Sequence, residues 1–168
     1  MIGTAFFVGW VLTLPWMPRI AEKNGRKPMF VASMIVDLIV LVGILLTDSL
    51  NLVILLVLLA GAATTARYSV GFVYLMELLP KSAQSFYSAV LNVIAGSVLF
   101  FSTLFFRYVS NDWRYFYGLG LALQVINLLC IKFVPESPRA LVELQRLDEA
   151  ESAFKTIARW NKVSLDLN

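Results

Sequence analysis

Apolar residues in this chain gather into long blocks, with no strict alternation and no amphipathic helical spacing within them. The blocks fall at about 1–17, 29–47, 52–79, 86–106 and 115–134. As helices rising 1.5 Å per residue they approach or exceed the roughly 30 Å of a bilayer's hydrocarbon core. The pattern predicts five transmembrane helices, with the third projecting past the bilayer or tilting within it. Pro80 and Lys81 end that third block, and a Ser110-Asn111-Asp112 turn separates the last two. After Pro135 the chain becomes charged and amphipathic, so residues 135–168 lie outside the hydrocarbon. Ser137 followed by Pro138 reads as a helix N-cap with proline at the first helical position, and Asp148 with Glu151 reads as a capping box. The expected architecture is an all-α membrane protein: a bundle over 1–134 and a tail of short amphipathic helices over 135–168.

Composition sharpens this picture by exclusion. Of 168 residues, 59% are hydrophobic and 15% charged, well short of the quarter or so charged residues of a soluble domain. There is no histidine and one cysteine, Cys130, which excludes a disulfide framework and histidine metal sites. No phosphate-binding glycine loop, nucleophile elbow or pair of catalytic carboxylates is legible, so neither an enzyme nor a cofactor is expected. The sequence pI near 9.1 does not signal nucleic acid, because the cations sit at the ends of apolar blocks.

Those cations instead predict orientation. Eleven of them (Arg19, Lys23, Arg26, Lys27, Lys81, Lys132, Arg139, Arg146, Lys155, Arg159 and Lys162) fall on one side of the five-span arrangement, against Arg107 and Arg114 on the other. The positive-inside tendency places the eleven, and the tail, in the cytoplasm. Trp113, Tyr115, Phe116 and Tyr117 cluster where the last span enters the membrane, as interfacial anchors do.

Two segments carry a family resemblance. Pro18 to Lys27, with Glu22, Lys23, Gly25, Arg26 and Lys27, resembles the loop between the second and third helices of major facilitator superfamily transporters. Val134-Pro135-Glu136-Ser137-Pro138-Arg139, directly after an apolar block, is similar to the junction after the sixth helix in the organic cation and sugar transporter branches. Asp112-Trp113-Arg114 and the run Phe72 to Pro80, which contains Glu77, resemble the same family. The resemblance covers helices two to six and implies a partial N-terminal half-bundle, without the first helix and the second half. It also implies a charge network of Arg26, Glu77, Glu136 and Arg139 at the cytoplasmic helix ends; the plainer alternative is that these charges only set topology. Three positions depart from the family pattern. If Gly61 is the glycine of the fourth helix, Val57 stands where an arginine is usual, and Thr13 and Pro18 occupy two glycine positions of the second helix, where only Gly9 remains. These changes are expected to loosen or reshape that helix contact.

Two charges lie inside apolar blocks, Asp37 and Arg67, each ten residues from a cytoplasmic helix end and therefore roughly 15 Å deep. A charge there costs about 2.5 to 3.5 kcal/mol on insertion scales, so each needs a partner. The pair could clip two helices together, or Arg67 could face a cavity and bind an anionic group. Asn92, one turn from Ser88, is a weaker cavity candidate.

The sequence thus implies a solute transporter present as a partial chain, with the lipid bilayer, a small organic solute and a missing transporter half or other membrane subunits as partners. The alternative is a degenerate half-transporter serving as a structural subunit.

Overall fold

The computed structural model describes residues 2–161 of the chain. The elements run α1 Ile2–Thr13, α2 Met17–Asn24, α3 Arg26–Leu46, α4 Leu50–Leu78, α5 Lys81–Tyr108, α6 Trp113–Cys130, a 3-10 turn Ile131–Phe133, α7 Pro138–Glu143 and α8 Leu147–Asn161. No strand occurs among the described residues. Among the described residues, four helices are long and apolar enough to cross a bilayer: α3, α4, α5, and α6 with the turn that follows it.

The first apolar block differs from its expected single span. Its helix stops at Thr13 after 12 residues, about 18 Å, and the supposed polar loop beyond it is largely the two-turn helix α2. Pro15 explains the break, since it has no N–H and disfavours helical geometry at Leu14. Hydrogen bonding resumes on either side, with Leu14 N donating to Trp10 O and Ile20 N to Trp16 O, both 3.1 Å. The Thr13 hydroxyl donates back to Gly9 O at 2.8 Å, so it occupies its own helix and not the α1–α4 seam.

Helix α4 is the centre of the bundle, with α1 packed on it along one side and α3 along another. Small residues set the spacing. A Cβ on Gly9 would stand 2.0 Å from Leu58 O, and one on Gly61 would stand 2.0 Å from Phe6 O, so two backbones touch at both glycines. The helix contact is therefore tight at Gly9, and the chain leaves helical geometry only after Thr13, at the break before Pro15. Thr65, fully buried, bridges the same seam by sharing its hydroxyl between Trp10 O and Gly61 O. Against α3, Gly71 receives the Phe30 ring and Gly43 the Leu56 side chain. Ser33, Asp37, Val40 and Ile44, at spacings of four, three and four residues, form the buried face of α3.

Helix α6 packs on α3 and buries only Gln124, while α5 buries no residue at all. Gln84 near the start of α5 caps α4 by donating to Met76 O, and Phe105 and Phe106 near its end meet Phe116 of α6. Beyond the bundle, Ser137 caps α7 through Ala140 N, and Leu141 packs against Ala150 and Ala153 of α8. The expected cap at Asp148 is displaced. Helix α8 begins at Leu147, two residues earlier than a cap at Asp148 would allow, with Ala150 N bonded to Arg146 O and the Arg146 guanidinium forked onto both oxygens of Glu149.

Candidate functional site

Two polar clusters stand out, one at a bundle end and one within the apolar zone. The first is built around the turn between α2 and α3. Gly25 adopts φ 99°, in the left-handed region where a side chain is strained, and its N–H closes α2 by donating to Ala21 O. A Cβ there would also crowd the Glu136 carboxylate, 3.0 Å away. That carboxylate accepts from Lys27 N at 2.9 Å, so it caps the N-terminus of α3 from a distant part of the chain. An anion is well placed at that end of a helix dipole. The same oxygen also accepts from Ser137 N at 3.0 Å.

Arg26 is buried beside it. Its Nη2 lies 3.4 Å from Glu77 Oε1 and 3.3 Å from Glu143 Oε2, and its Nη1 donates to Ala21 O at 3.4 Å. Glu77 is equally buried, and its second oxygen accepts from the Ser137 hydroxyl at 2.6 Å. The Lys27 ammonium donates to Val134 O, and the Tyr74 hydroxyl to Pro135 O. The turn, the end of α4 and the α6–α7 junction are thus tied together by side chains that satisfy one another's polar atoms.

Arg139 does not reach Glu77. Its side chain is 74% exposed and pairs along its own helix with Glu143 Oε1 at 3.2 Å, while Glu77 is held by Arg26 and Ser137. Glu143, unremarked in the sequence, is the residue that links the two arginines. Glu22 is exposed and finds no partner among the described residues.

The second cluster joins α3, α4 and α6. Arg67 Nη1 donates to Asp37 Oδ2 at 2.6 Å and to Gln124 Oε1 at 3.3 Å, while Gln124 Nε2 donates to Met34 O at 3.2 Å. Asp37 and Gln124 are buried and the Arg67 side chain is 33% exposed. A carboxylate, a guanidinium and an amide therefore cross-link three helices where lipid offers no polar partner. Asn92 stays apart: it is exposed on α5 and donates to Ser88 O of its own helix. No group of side chains suited to a metal occurs among the described residues.

The charge cluster predicts an asymmetry. Glu77→Gln keeps an acceptor for Ser137 but removes the charge facing Arg26, and should cost about 2 kcal/mol, as lost hydrogen bonds to charged groups do. Lys81→Gln, four residues on and exposed without a partner among the described residues, should change stability by less than about 0.5 kcal/mol. Unfolding titrations in mixed micelles measure both, and equal effects would mean that the cluster contributes nothing beyond solvated charge.

Long apolar helices whose internal charges are neutralised within the bundle, with charged turns fastened at one end, define a multi-helix integral membrane protein. The chain matches the sugar (and other) transporter family over residues 1–168, and it belongs to that family, in the organic cation and sugar transporter branch of the major facilitator superfamily. It is 32% identical over 167 residues to a Caenorhabditis elegans protein named as a transporter, covering 98% of this chain and 28% of that protein. An organic cation transporter protein of Drosophila melanogaster is 29% identical over 161 residues, covering 95% of this chain and 29% of its own length. The glucose transporter GlcP of Staphylococcus epidermidis is 30% identical over 161 residues, with 92% and 35% covered. The chain thus spans about a third or less of the length of these relatives.

Proposed function

We propose that this chain forms part of a solute transporter that moves a small organic ion or sugar-like molecule across a membrane, and that it performs no catalysis. The observation that carries this reading is the cluster around Arg26. It fastens the α2–α3 turn, the end of α4 and the α6–α7 junction into one body, and alternating access requires half-bundles that move as bodies. Residues 1–134 are read as the membrane bundle and 135–168 as its tail, with the Arg26 turn and the tail in the cytoplasm. The solute contacts and the coupling ion belong to the assembled transporter, whose other half or partner subunits complete it. Reconstitution of the native polypeptide or complex that carries this chain, followed by uptake of labelled organic cations and hexoses, tests the reading. Saturable uptake of either class supports it.

A second reading, a structural subunit of a larger membrane assembly, is favoured by Val57, which stands at the usual arginine position if Gly61 is the glycine of the fourth helix, and by α5, which buries no residue. Absence of uptake together with stoichiometric co-purification of other membrane subunits would select it.

Orientation has its own test. Single cysteines at Lys81 and Asn111 should label from opposite faces of sealed vesicles, position 81 from the cytoplasmic face. Labelling of both from one face would overturn the proposed arrangement of spans.

A further inference from the structure

Helix α2 turns an unusual face away from the bundle. Ala21 is buried against its neighbours, while Trp16 is 62% and Ile20 37% exposed, and Arg19 and Lys23 are exposed as well. At about 100° per residue, these four side chains share an arc of about 100° on the side away from Ala21. Trp16 and Ile20 stack one turn apart, as do Arg19 and Lys23, so an apolar stripe runs beside a basic one. Neither cation has a partner among the described residues. The helix carries two cations and one carboxylate, Glu22, for a net charge of plus one.

This face follows the apolar helix α1 in the chain, where Val11 and Leu12, and Leu14 just beyond it, are exposed. A tryptophan at the end of an apolar segment, followed by cations long enough to reach outward, suits the headgroup layer of a bilayer. Basic side chains at that depth attract acidic lipids by about fivefold per residue.

From this juxtaposition we propose that the Trp16, Arg19, Ile20 and Lys23 face of α2 is a docking site for an acidic phospholipid. Arg19 and Lys23 hold the headgroup phosphate, and Trp16 and Ile20 lie against the upper acyl chain. The two apolar side chains select a lipid over a soluble phosphate, which would gain nothing from them. The site does not depend on which solute is carried, or on whether any is.

The test uses the full chain in phosphatidylcholine bilayers at low ionic strength. These contain either brominated phosphatidylglycerol or an equal share of brominated phosphatidylcholine, and Trp16 emission is isolated by difference from Trp16→Phe. Brominated phosphatidylglycerol should quench Trp16 as if enriched about fivefold or more over its bulk share. The preference should fall with added salt. It should vanish in Arg19→Gln/Lys23→Gln, persist in Arg19→Lys/Lys23→Arg and persist in Lys81→Gln. The exposed glutamine pair should leave the unfolding midpoint unchanged, which separates lost binding from lost folding. Equal quenching by the two lipids, or a preference that survives the glutamine pair, would overturn the site. So would displacement by millimolar inorganic phosphate, which would make a soluble anion the ligand, or absence of quenching by either lipid, which would mean that protein covers this face.

Discussion

Replacing Arg67 by leucine is expected to destabilise the folded protein by about 3 to 5 kcal/mol, the cost of leaving a buried charge without its partner. Asp37 would remain as a carboxylate facing hydrocarbon, and Gln124 would lose the donor at its Oε1. The double change Asp37→Leu/Arg67→Leu removes both charges and should cost less than Arg67→Leu alone, so the cycle returns a large favourable coupling. Gln124→Leu should cost only about 1 kcal/mol, in the range of hydrogen bonds between membrane helices. Denaturant titration in mixed micelles provides all four corners. A coupling near zero would mean that the 2.6 Å contact between Asp37 and Arg67 adds nothing to stability.

The second large effect is expected at the α1–α4 seam. In Gly61→Leu the new Cβ would lie 2.0 Å from Phe6 O, 2.9 Å from its carbonyl carbon and 3.1 Å from Trp10 N. These are backbone atoms that cannot rotate away, so the two helices must separate. The Thr65 bond to Trp10 O at 3.1 Å would be lost with the seam. We expect a loss of about 3 kcal/mol or more, in the range of overpacked or disrupted cores. Gly96 on α5 is the control, because nothing lies within 4 Å of a Cβ built there. Gly96→Ala should be neutral or stabilising by up to about 1 kcal/mol through helix propensity. Similar losses at the two glycines would show that close backbone approach is not what Gly61 provides.

The helices were legible because uninterrupted apolar runs have few alternatives to crossing a bilayer. The break at Pro15 was harder to read. Proline is tolerated in membrane helices, and only packing decides whether the chain continues through it. Asp37 and Arg67 stood out as charges in apolar blocks, but Gln124 did not. A lone amide in an apolar helix becomes meaningful only once the register of α6 on α3 is known, and periodicity does not supply that register. Arg26, Glu77 and Glu136 were placed by resemblance. Ser137 was read as a helix cap, and its second bond, to Glu77, depends on where α4 ends in space. Arg139 and Glu143 lie one turn apart on one face of α7, so the sequence pattern does not say which of them meets Arg26. The choice depends on where the α7 N-terminus is held, and Ser137 holds it through Glu77 of α4, a contact that no local pattern encodes.

The cap on α3 also has a consequence in time. Glu136 is 109 residues beyond Lys27, whose N–H it receives. At about 5 to 20 residues per second, translation needs roughly 5 to 20 seconds to travel that distance. Throughout this interval the first turn of α3 has been synthesised but lacks the carboxylate that closes it, and Arg26 lacks Glu143 and has Glu77 only for the later part. The charged end of this bundle is therefore closed only after α3, α4, α5 and α6 have been synthesised, and a nascent chain stalled before residue 136 would lack the clasp.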